Sequence, residues 1–419
     1  MVREKLAVRW SLAKRIAFRF VFSYFSFYFF TALVSYLPFG GSLVSKYDAL
    51  WYAVVVWLEK HVLHTGLHIY LLEGGGISNT AFGTILFSCY VTLAAVAAAV
   101  WSALDRKRDD YARLHQGLRL LLRWSLALTM IHYGILKLIP VQMMAPPPLG
   151  VLRTRVGELP PMRMLWVFVG SSPVYESFTG AAELLGGLLL LLPRTTLLGA
   201  LVCFADMVMV VTLNFCYDVH VKLFSMHLLV MSFLLIAPDL RRLADLLIFN
   251  RRVEPAEAPR LSAYGWLDRS LQVLVVLFGL YRIGTGLQEA RERYAKFYPP
   301  RPPLYGVWSV DELVVDGKDV PLFTDPQRWR WVTFQEPGSL SVELMIGSTR
   351  KYSLALDVKG RRMVLGKDGQ SAFSFQEPKP AVLILEGQLD GHRTRARLSK
   401  MPLISTGLRW IFDPPPEDR

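Results

Sequence analysis

The feature that most constrains this chain is its set of bilayer-length apolar segments, one of which carries a glutamate. Residues 174–194 read VYESFTGAAELLGGLLLLLPR, and Glu183 lies in their middle. About 20 apolar residues cross the hydrocarbon core of a membrane. A carboxylate at that depth is energetically costly, so an ionisable residue within a span indicates a functional site.

Composition agrees with an integral membrane protein. The 419 residues are 53% hydrophobic, and their mean hydropathy is +0.32. The net charge of +13 comes largely from Lys and Arg at the ends of apolar segments, where they orient a protein in its membrane. We find no basic stripe interleaved with aromatic residues, so we predict no nucleic-acid binding.

Seven segments have the length and character of membrane spans. They are residues 16–37, 79–101, 118–139, 174–192, 196–215, 221–237 and 267–287. The first follows a basic stretch but lacks a small-residue cleavage site, so we interpret it as a retained span.

Charge asymmetry predicts the orientation. The N-terminus, DRKRDD at 105–110 and the basic stretch 239–260 fall on one side of the spans, which the positive-inside rule makes cytoplasmic. Seven spans then place the C-terminus outside, giving a multi-pass protein of a bacterial inner membrane. Outside we also expect an amphipathic surface helix over 51–68 and a loop over 141–173 whose apolar part is re-entrant or interfacial.

The pattern of apolar and polar residues changes after the last span. We divide the chain into a helical transmembrane domain (1–290), a charged, Pro-rich linker (291–304) and an extracytoplasmic domain (305–413). The last domain alternates apolar and polar residues between turn sequences such as KDGQ and LDGH. This pattern predicts about eight antiparallel strands in a small closed barrel.

Candidate site residues lie in and beside the later spans. We predict a polar pocket that opens outward and narrows toward buried carboxylates. Its catalytic candidates are Lys137, Glu183, Asp206 and His227. Its ligand-binding candidates are His132, Tyr133, Asn214, His220 and Lys222.

Each candidate also has a structural interpretation. Lys137 can snorkel to the headgroups or pair with Glu183 or Asp206 merely to fix helix packing. The turn around His220 and Lys222 can be a solvated loop. These alternatives stay open on sequence alone.

Metal binding is not expected. His61, His64 and His68 recur at helical spacing, but no carboxylate or cysteine set accompanies them. Cys89, Cys203 and Cys216 form no CxxC pair.

Two resemblances concern the helical part. The sequences YGILKL around Lys137, GAAELLGGLLLLLPRTTLLGALV around Glu183 and the following span with Asp206 resemble the DoxX-like membrane family, with a core over 115–245. That resemblance implies a four-helix membrane bundle, associated in some members with thiosulfate or quinone redox chemistry. More distantly, Gly134 to Leu138 (GILKL) is similar to the G-x-x-K-L context of vitamin K-dependent gamma-carboxylases, where the lysine acts as a base toward a reduced quinone.

The tail resembles lipocalin-like barrels through Gly306-Val307-Trp308, a G-x-W opening strand. This resemblance implies that a late arginine, Arg397 or Arg409, covers Trp308.

From these observations we expect a DoxX-like, redox-associated membrane protein whose bundle binds a quinone, with a membrane redox protein as partner. If it is an enzyme, it is a quinone-linked oxidoreductase or a gamma-carboxylase-like enzyme. One alternative is a non-enzymatic scaffold or assembly factor whose barrel binds a lipid or a partner. Another is a proton-coupled transporter that uses Glu183 and Asp206.

Overall fold

The computed structural model describes residues 10–35, 39–69, 80–143, 147–255, 265–322, 325–366 and 371–402. The chain divides into two compact units. The helical unit comprises Met1–Ile135 and Gly180–Gly286, and the barrel unit comprises Leu136–Thr179 and Leu287–Arg419. The two units are treated separately below.

Eleven α-helices lie in the described residues. They are α1 (Leu12–Ser35), α2 (Gly40–Leu58), α3 (Ala81–Leu104), α4 (Ala112–Leu138), α5 (Leu149–Leu152), α6 (Pro161–Gly170), α7 (Pro173–Leu191), α8 (Thr196–Cys216), α9 (Lys222–Ile236), α10 (Leu240–Leu247) and α11 (Gly265–Phe297).

Six helical segments in this part of the chain are long and apolar enough to cross a membrane. They coincide with six of the seven predicted spans and contain α1, α3, α7, α8, α9 and α11. The other predicted span, 118–139, lies in α4, which is less apolar because it carries Arg119, Arg123 and Lys137. Membrane-spanning helices are therefore confirmed, while the count of seven remains a prediction.

Glycine faces bring the core helices of the helical unit close together. A methyl group added at Gly134 of α4 would lie 2.6 Å from the backbone nitrogen of Leu184 in α7. Gly187 of α7 has the same tight approach to α4, and Gly199 of α8 fits against α7. Small residues permit such close packing where burial from water provides no driving force.

Buried arginines are hydrogen-bonded near the predicted cytoplasmic ends of these helices. Arg19 of α1 contacts the Tyr111 hydroxyl, Ser102 Oγ at 2.8 Å and the Asp105 carbonyl at 2.6 Å. In α4, Arg123 donates to Gln272 Oε1 at 2.7 Å. These contacts satisfy charged groups that would otherwise be costly in apolar surroundings.

A closed barrel forms most of the described barrel unit. Its strands are β1 (Gly306–Val315), β2 (Lys318–Asp319), β3 (Trp329–Phe334), β4 (Ser339–Leu344), β5 (Thr349–Asp357), β6 (Arg362–Leu365), β7 (Ser371–Lys379), β8 (Val382–Leu389) and β9 (His392–Lys400). Apart from the two-residue β2, which pairs with β1, eight antiparallel strands form a ring that the β1–β9 pairing closes. The predicted eight-stranded barrel is confirmed.

Alternation along the strands fills the barrel interior with side chains. Trp308, Phe334, Met363 and Phe373 are among the buried residues of one continuous core. The Asp390-Gly391 pair joins β8 to β9 with positive φ at both residues, as a tight two-residue hairpin requires.

The barrel also contains a buried arginine that sequence reasoning missed. Arg328 donates to the carbonyls of Val310 and Asp311, at 3.1 and 3.0 Å, where β1 is irregular in its pairing with β9. It also donates to the Val320 carbonyl at 2.9 Å. Its guanidinium therefore fixes the irregular section of β1.

The predicted arginine over Trp308 is wrong for Arg397. Arg397 lies on the outside of the barrel, 3.4 Å from Glu312, because alternate residues of β9 point outward. Among the described residues, the cation over the Trp308 ring is Lys400, at 5.5 Å. Arg409 lies outside the described residues.

Two local predictions also need correction. The helix expected over 51–68 starts earlier, at Gly40 in α2. A π-helical turn, Glu59–Leu63, continues α2 and ends where His64 adopts a positive φ of 50°. His64 and His68 therefore lie beyond the helix that carries His61. The charged start of the predicted linker is helical, since α11 continues to Phe297.

Candidate functional site

A buried histidine of the helical unit lies among tyrosines of the first helix. His227, in α9, is 5% exposed, and Tyr24 of α1 is 7% exposed. Tyr24 Oη lies 2.5 Å from His227 Nε2. The Tyr28 ring stacks on the imidazole with centroids 4.5 Å apart, and the edge of Phe87 in α3 meets it at 5.9 Å. Helices α1, α3 and α9 thus converge on one imidazole.

The hydrogen bonds of His227 indicate its tautomer. Nδ1 faces the carbonyl of Leu223, an acceptor, at 2.5 Å. Nδ1 therefore carries the proton and donates it to that carbonyl, and Nε2 accepts from the Tyr24 hydroxyl. The pair is neutral, as an apolar environment favours.

Tyr133 of α4 extends this arrangement. Its phenol lies close enough to Tyr28 for the two groups to interact electrostatically. Its ring is 6.1 Å from Phe224 of α9 and 5.2 Å from its neighbour His132. We call Tyr24, Tyr28, Tyr133 and His227 the His–Tyr cluster, with the half-buried His132 at its border.

Elsewhere in the helical unit, the candidate carboxylates Glu183 and Asp206 both interact with the thiol of Cys203. Glu183 of α7 is 2% exposed, and both it and Asp206 of α8 interact electrostatically with Cys203. The Cys203 Sγ would lie 2.7 Å from a methyl group added at Gly186, so α7 and α8 are tightly packed here. Glu183 and Asp206 thus have a common neighbour in Cys203.

The remaining ligand-binding candidates lie at the turn between α8 and α9. Asn214 is buried and donates to Ser225 Oγ at 3.0 Å, which joins the end of one helix to the start of the next. Lys222 pairs with Asp218, and His220 is exposed. These contacts make Asn214 a packing residue and leave the turn as a polar surface.

Lys137 belongs to the barrel unit, where its neighbour is a glutamate that sequence reasoning did not select. Glu176, at the start of α7, is fully buried and accepts from the backbone nitrogens of Gln142 and Met143 at 3.1 and 2.9 Å. Lys137 is 7% exposed and interacts electrostatically with Glu176. Lys137 is therefore buried beside a buried carboxyl group, and its catalytic role stays a prediction.

Tyr298 completes this second polar group. Its hydroxyl donates to the Pro140 carbonyl at 2.7 Å. Burial, and then the nearby charge of Glu176, raise the pKa of Tyr298, so its phenol stays protonated. Glu176 and Tyr298 hold the segment that follows α4 through backbone hydrogen bonds, and Lys137 lies beside Glu176.

The residues that sequence reasoning missed carried weak signals. Tyr24 and Tyr28 are four residues apart in FVFSYFSFYFF, so they share a helical face, but aromatic residues are common in membrane helices. Glu176 lies in the same apolar segment as Glu183, near its end. No group of three or more His, Cys, Asp or Glu able to hold a metal occurs among the residues that the structure describes.

Comparisons with known proteins assign no family to the chain. No protein-family model matches it. The chain is similar to the uncharacterized protein YwoB of Bacillus subtilis (strain 168), at 43% identity over 77 residues. The matched region covers 18% of this chain and 50% of YwoB, so the chain spans about half the length of this curated relative.

Proposed function

We propose that this chain is a DoxX-like, redox-associated membrane protein that binds a quinone through the His–Tyr cluster. The observation that carries the proposal is the hydrogen bond between Tyr24 and His227, with Tyr28 stacked on the imidazole. Both side chains can donate or accept a proton, and they lie in helices long enough to cross a membrane. A ligand that reaches them from the lipid must itself be apolar.

The chemistry of the cluster suits a quinone ring. The phenols of Tyr28 and Tyr133 can donate hydrogen bonds to carbonyl oxygens, whereas Tyr24 donates its proton to His227 Nε2, and the aromatic ring faces can stack on a flat ligand. In the reduced ligand the same oxygens are hydroxyls. Tyr24 can then accept a hydrogen bond while its own proton moves toward His227 Nε2.

The experiment titrates a short-tailed quinone into the purified full chain in nanodiscs. Calorimetry measures the dissociation constant. Tyr24→Phe and His227→Gln each remove a hydrogen-bonding group and are expected to weaken binding about tenfold, the effect of about 1.4 kcal/mol. Tyr281→Phe is the matched control, because Tyr281 is 65% exposed on α11. Saturable binding that both cluster variants leave unchanged would refute the proposal, as would absence of binding by the wild type.

A second candidate function is a scaffold that displays the barrel to a protein partner. The observation in its favour is the filled barrel interior, where Trp308, Val332 and Phe373 occupy the space that a lipid would need. The barrel's outer surface would then carry the interaction. The test is a variant whose barrel surface is altered. If that variant binds quinone normally but loses its function in the cell, the result would support this candidate.

A further inference from the structure

An open apolar groove runs between α1 and α4 in the helical unit. Its volume is about 470 Å³, within the range of small-molecule sites. We call it the α1/α4 groove. Its lining includes Phe25, Ser26 and Phe29 of α1, and Arg113 and Gly117 of α4.

The lining indicates the chemical class of the occupant. Ser26 and Arg113 are its polar side chains, and the Ser26 hydroxyl already donates to the carbonyl of Phe22 at 2.8 Å. Arg113 is the second residue of α4 and the first α4 residue that lines the groove. The rest is aromatic and aliphatic, so the groove has the chemistry to hold a hydrocarbon chain rather than a polar head.

The groove shares a wall with the His–Tyr cluster. Phe25 lines the groove, and its ring is 5.4 Å from Tyr24 and 5.9 Å from Tyr28. Phe29, also in the lining, has its ring 5.2 Å from Tyr28. One face of α1 therefore presents phenols to His227, and the adjoining face presents phenylalanines to the groove.

We propose that the α1/α4 groove binds the polyprenyl tail of the ligand whose ring meets the His–Tyr cluster, an inference that rests on the proposed function. The shared Phe25 and Phe29 argue for one molecule, because α1 offers stacking and hydrogen bonding on the cluster side and mainly apolar contact on the groove side. The substrate class is thus a quinone with a polyprenyl tail.

Glycines provide a test that alters the groove without crowding the helices. Gly117 lines the groove, and a methyl group added there meets no atom within 4 Å. Gly117→Leu therefore fills part of the groove with little strain. Gly284→Leu is the matched control, because Gly284 of α11 has equally open space but does not line the groove.

The experiment compares the same quinone ring with a full polyprenyl tail or with a single isoprene unit, each titrated against the protein in nanodiscs. We expect the wild type and Gly284→Leu to bind the long-tailed ligand about tenfold more tightly than the short-tailed one, since only the long tail gains packing contacts in the groove. Gly117→Leu should lose that preference and still bind the short-tailed ligand, which reports an intact fold. Ser26→Phe, which fills the groove from α1, should have the same effect.

The outcomes separate the two proposals. Equal binding of long- and short-tailed quinones by the wild type overturns the tail site alone. A preference that survives in both Gly117→Leu and Ser26→Phe also overturns the tail site alone. If the wild type binds neither ligand, both the proposed function and the tail site are overturned.

Discussion

At the residue scale, the protein stabilises buried polar side chains by pairing each with a specific neighbour. His227 remains neutral because one ring nitrogen donates to a backbone carbonyl and the other accepts from Tyr24. Arg328 remains buried because its guanidinium donates to carbonyls, even though burial lowers its pKa. Each such residue should be hard to replace, since its partners would be left without hydrogen bonds.

Arg328 provides the residue-scale prediction. Arg328→Met should destabilise the barrel by about 3 kcal/mol, because it leaves the carbonyls of Val310, Asp311 and Val320 unsatisfied. The measurement is the thermal unfolding of the full chain by tryptophan fluorescence. Arg350→Met is the control, because Arg350 is exposed and contacts only the side chain of Gln327 among the described hydrogen bonds. Equal melting temperatures for both variants would show that Arg328 has no special role.

Sequence reasoning identified ionisable residues more readily than their neighbours. Glu183 and His227 stood out because charge and imidazole are rare in apolar segments, and the structure buries both. Tyr24 and Tyr28 did not stand out, because their importance depends on contact with His227 of α9. That helix lies some 200 residues away along the chain. Arg328 was missed since arginine in a strand-rich domain ordinarily faces water.

At the element scale, helix positions depend on glycine contacts. Gly134 brings α4 against α7, and Gly199 brings α8 against α7. Hydropathy predicted where most spans lie, but it contains no information on which helices touch. The end of the helix at Leu63 was also missed, because a left-handed residue such as His64 is not specified by hydropathy.

The element-scale prediction compares two glycines of α4. Gly134→Ala should destabilise the protein by about 1–3 kcal/mol, because the new methyl group would lie 2.6 Å from the Leu184 backbone nitrogen. Gly117→Ala meets nothing within 4 Å and, with alanine's better helix propensity, should leave stability equal or slightly higher. Thermal unfolding in detergent measures both. A Gly134→Ala protein as stable as Gly117→Ala would rule out close α4–α7 packing.

At the scale of the whole molecule, the chain combines a helical unit having the character of a membrane protein with a unit built largely on a closed barrel. Alternation and turn sequences predicted the barrel correctly because both are local signals. Orientation remains a prediction from charge: it places the N-terminus in the cytoplasm and the barrel outside.

Thiol labelling of intact cells tests that orientation. In a variant without native cysteines, Lys351→Cys on the barrel should react with a membrane-impermeant reagent, whereas Lys107→Cys between α3 and α4 should not. Both lysines are exposed, so reactivity depends on the side of the membrane. The reverse pattern would invert the topology, and labelling of both positions would require a different number of spans.

The most direct test of quinone binding is to measure what the protein retains from its own membrane. We predict that the full chain, purified in mild detergent, carries a polyprenyl quinone near one molecule per protein, as measured by mass spectrometry of an organic extract. The Tyr24→Phe and His227→Gln proteins should retain much less, and Tyr281→Phe should match the wild type. Quinone that is absent from the wild type, or equally abundant in all four proteins, would contradict binding at the His–Tyr cluster.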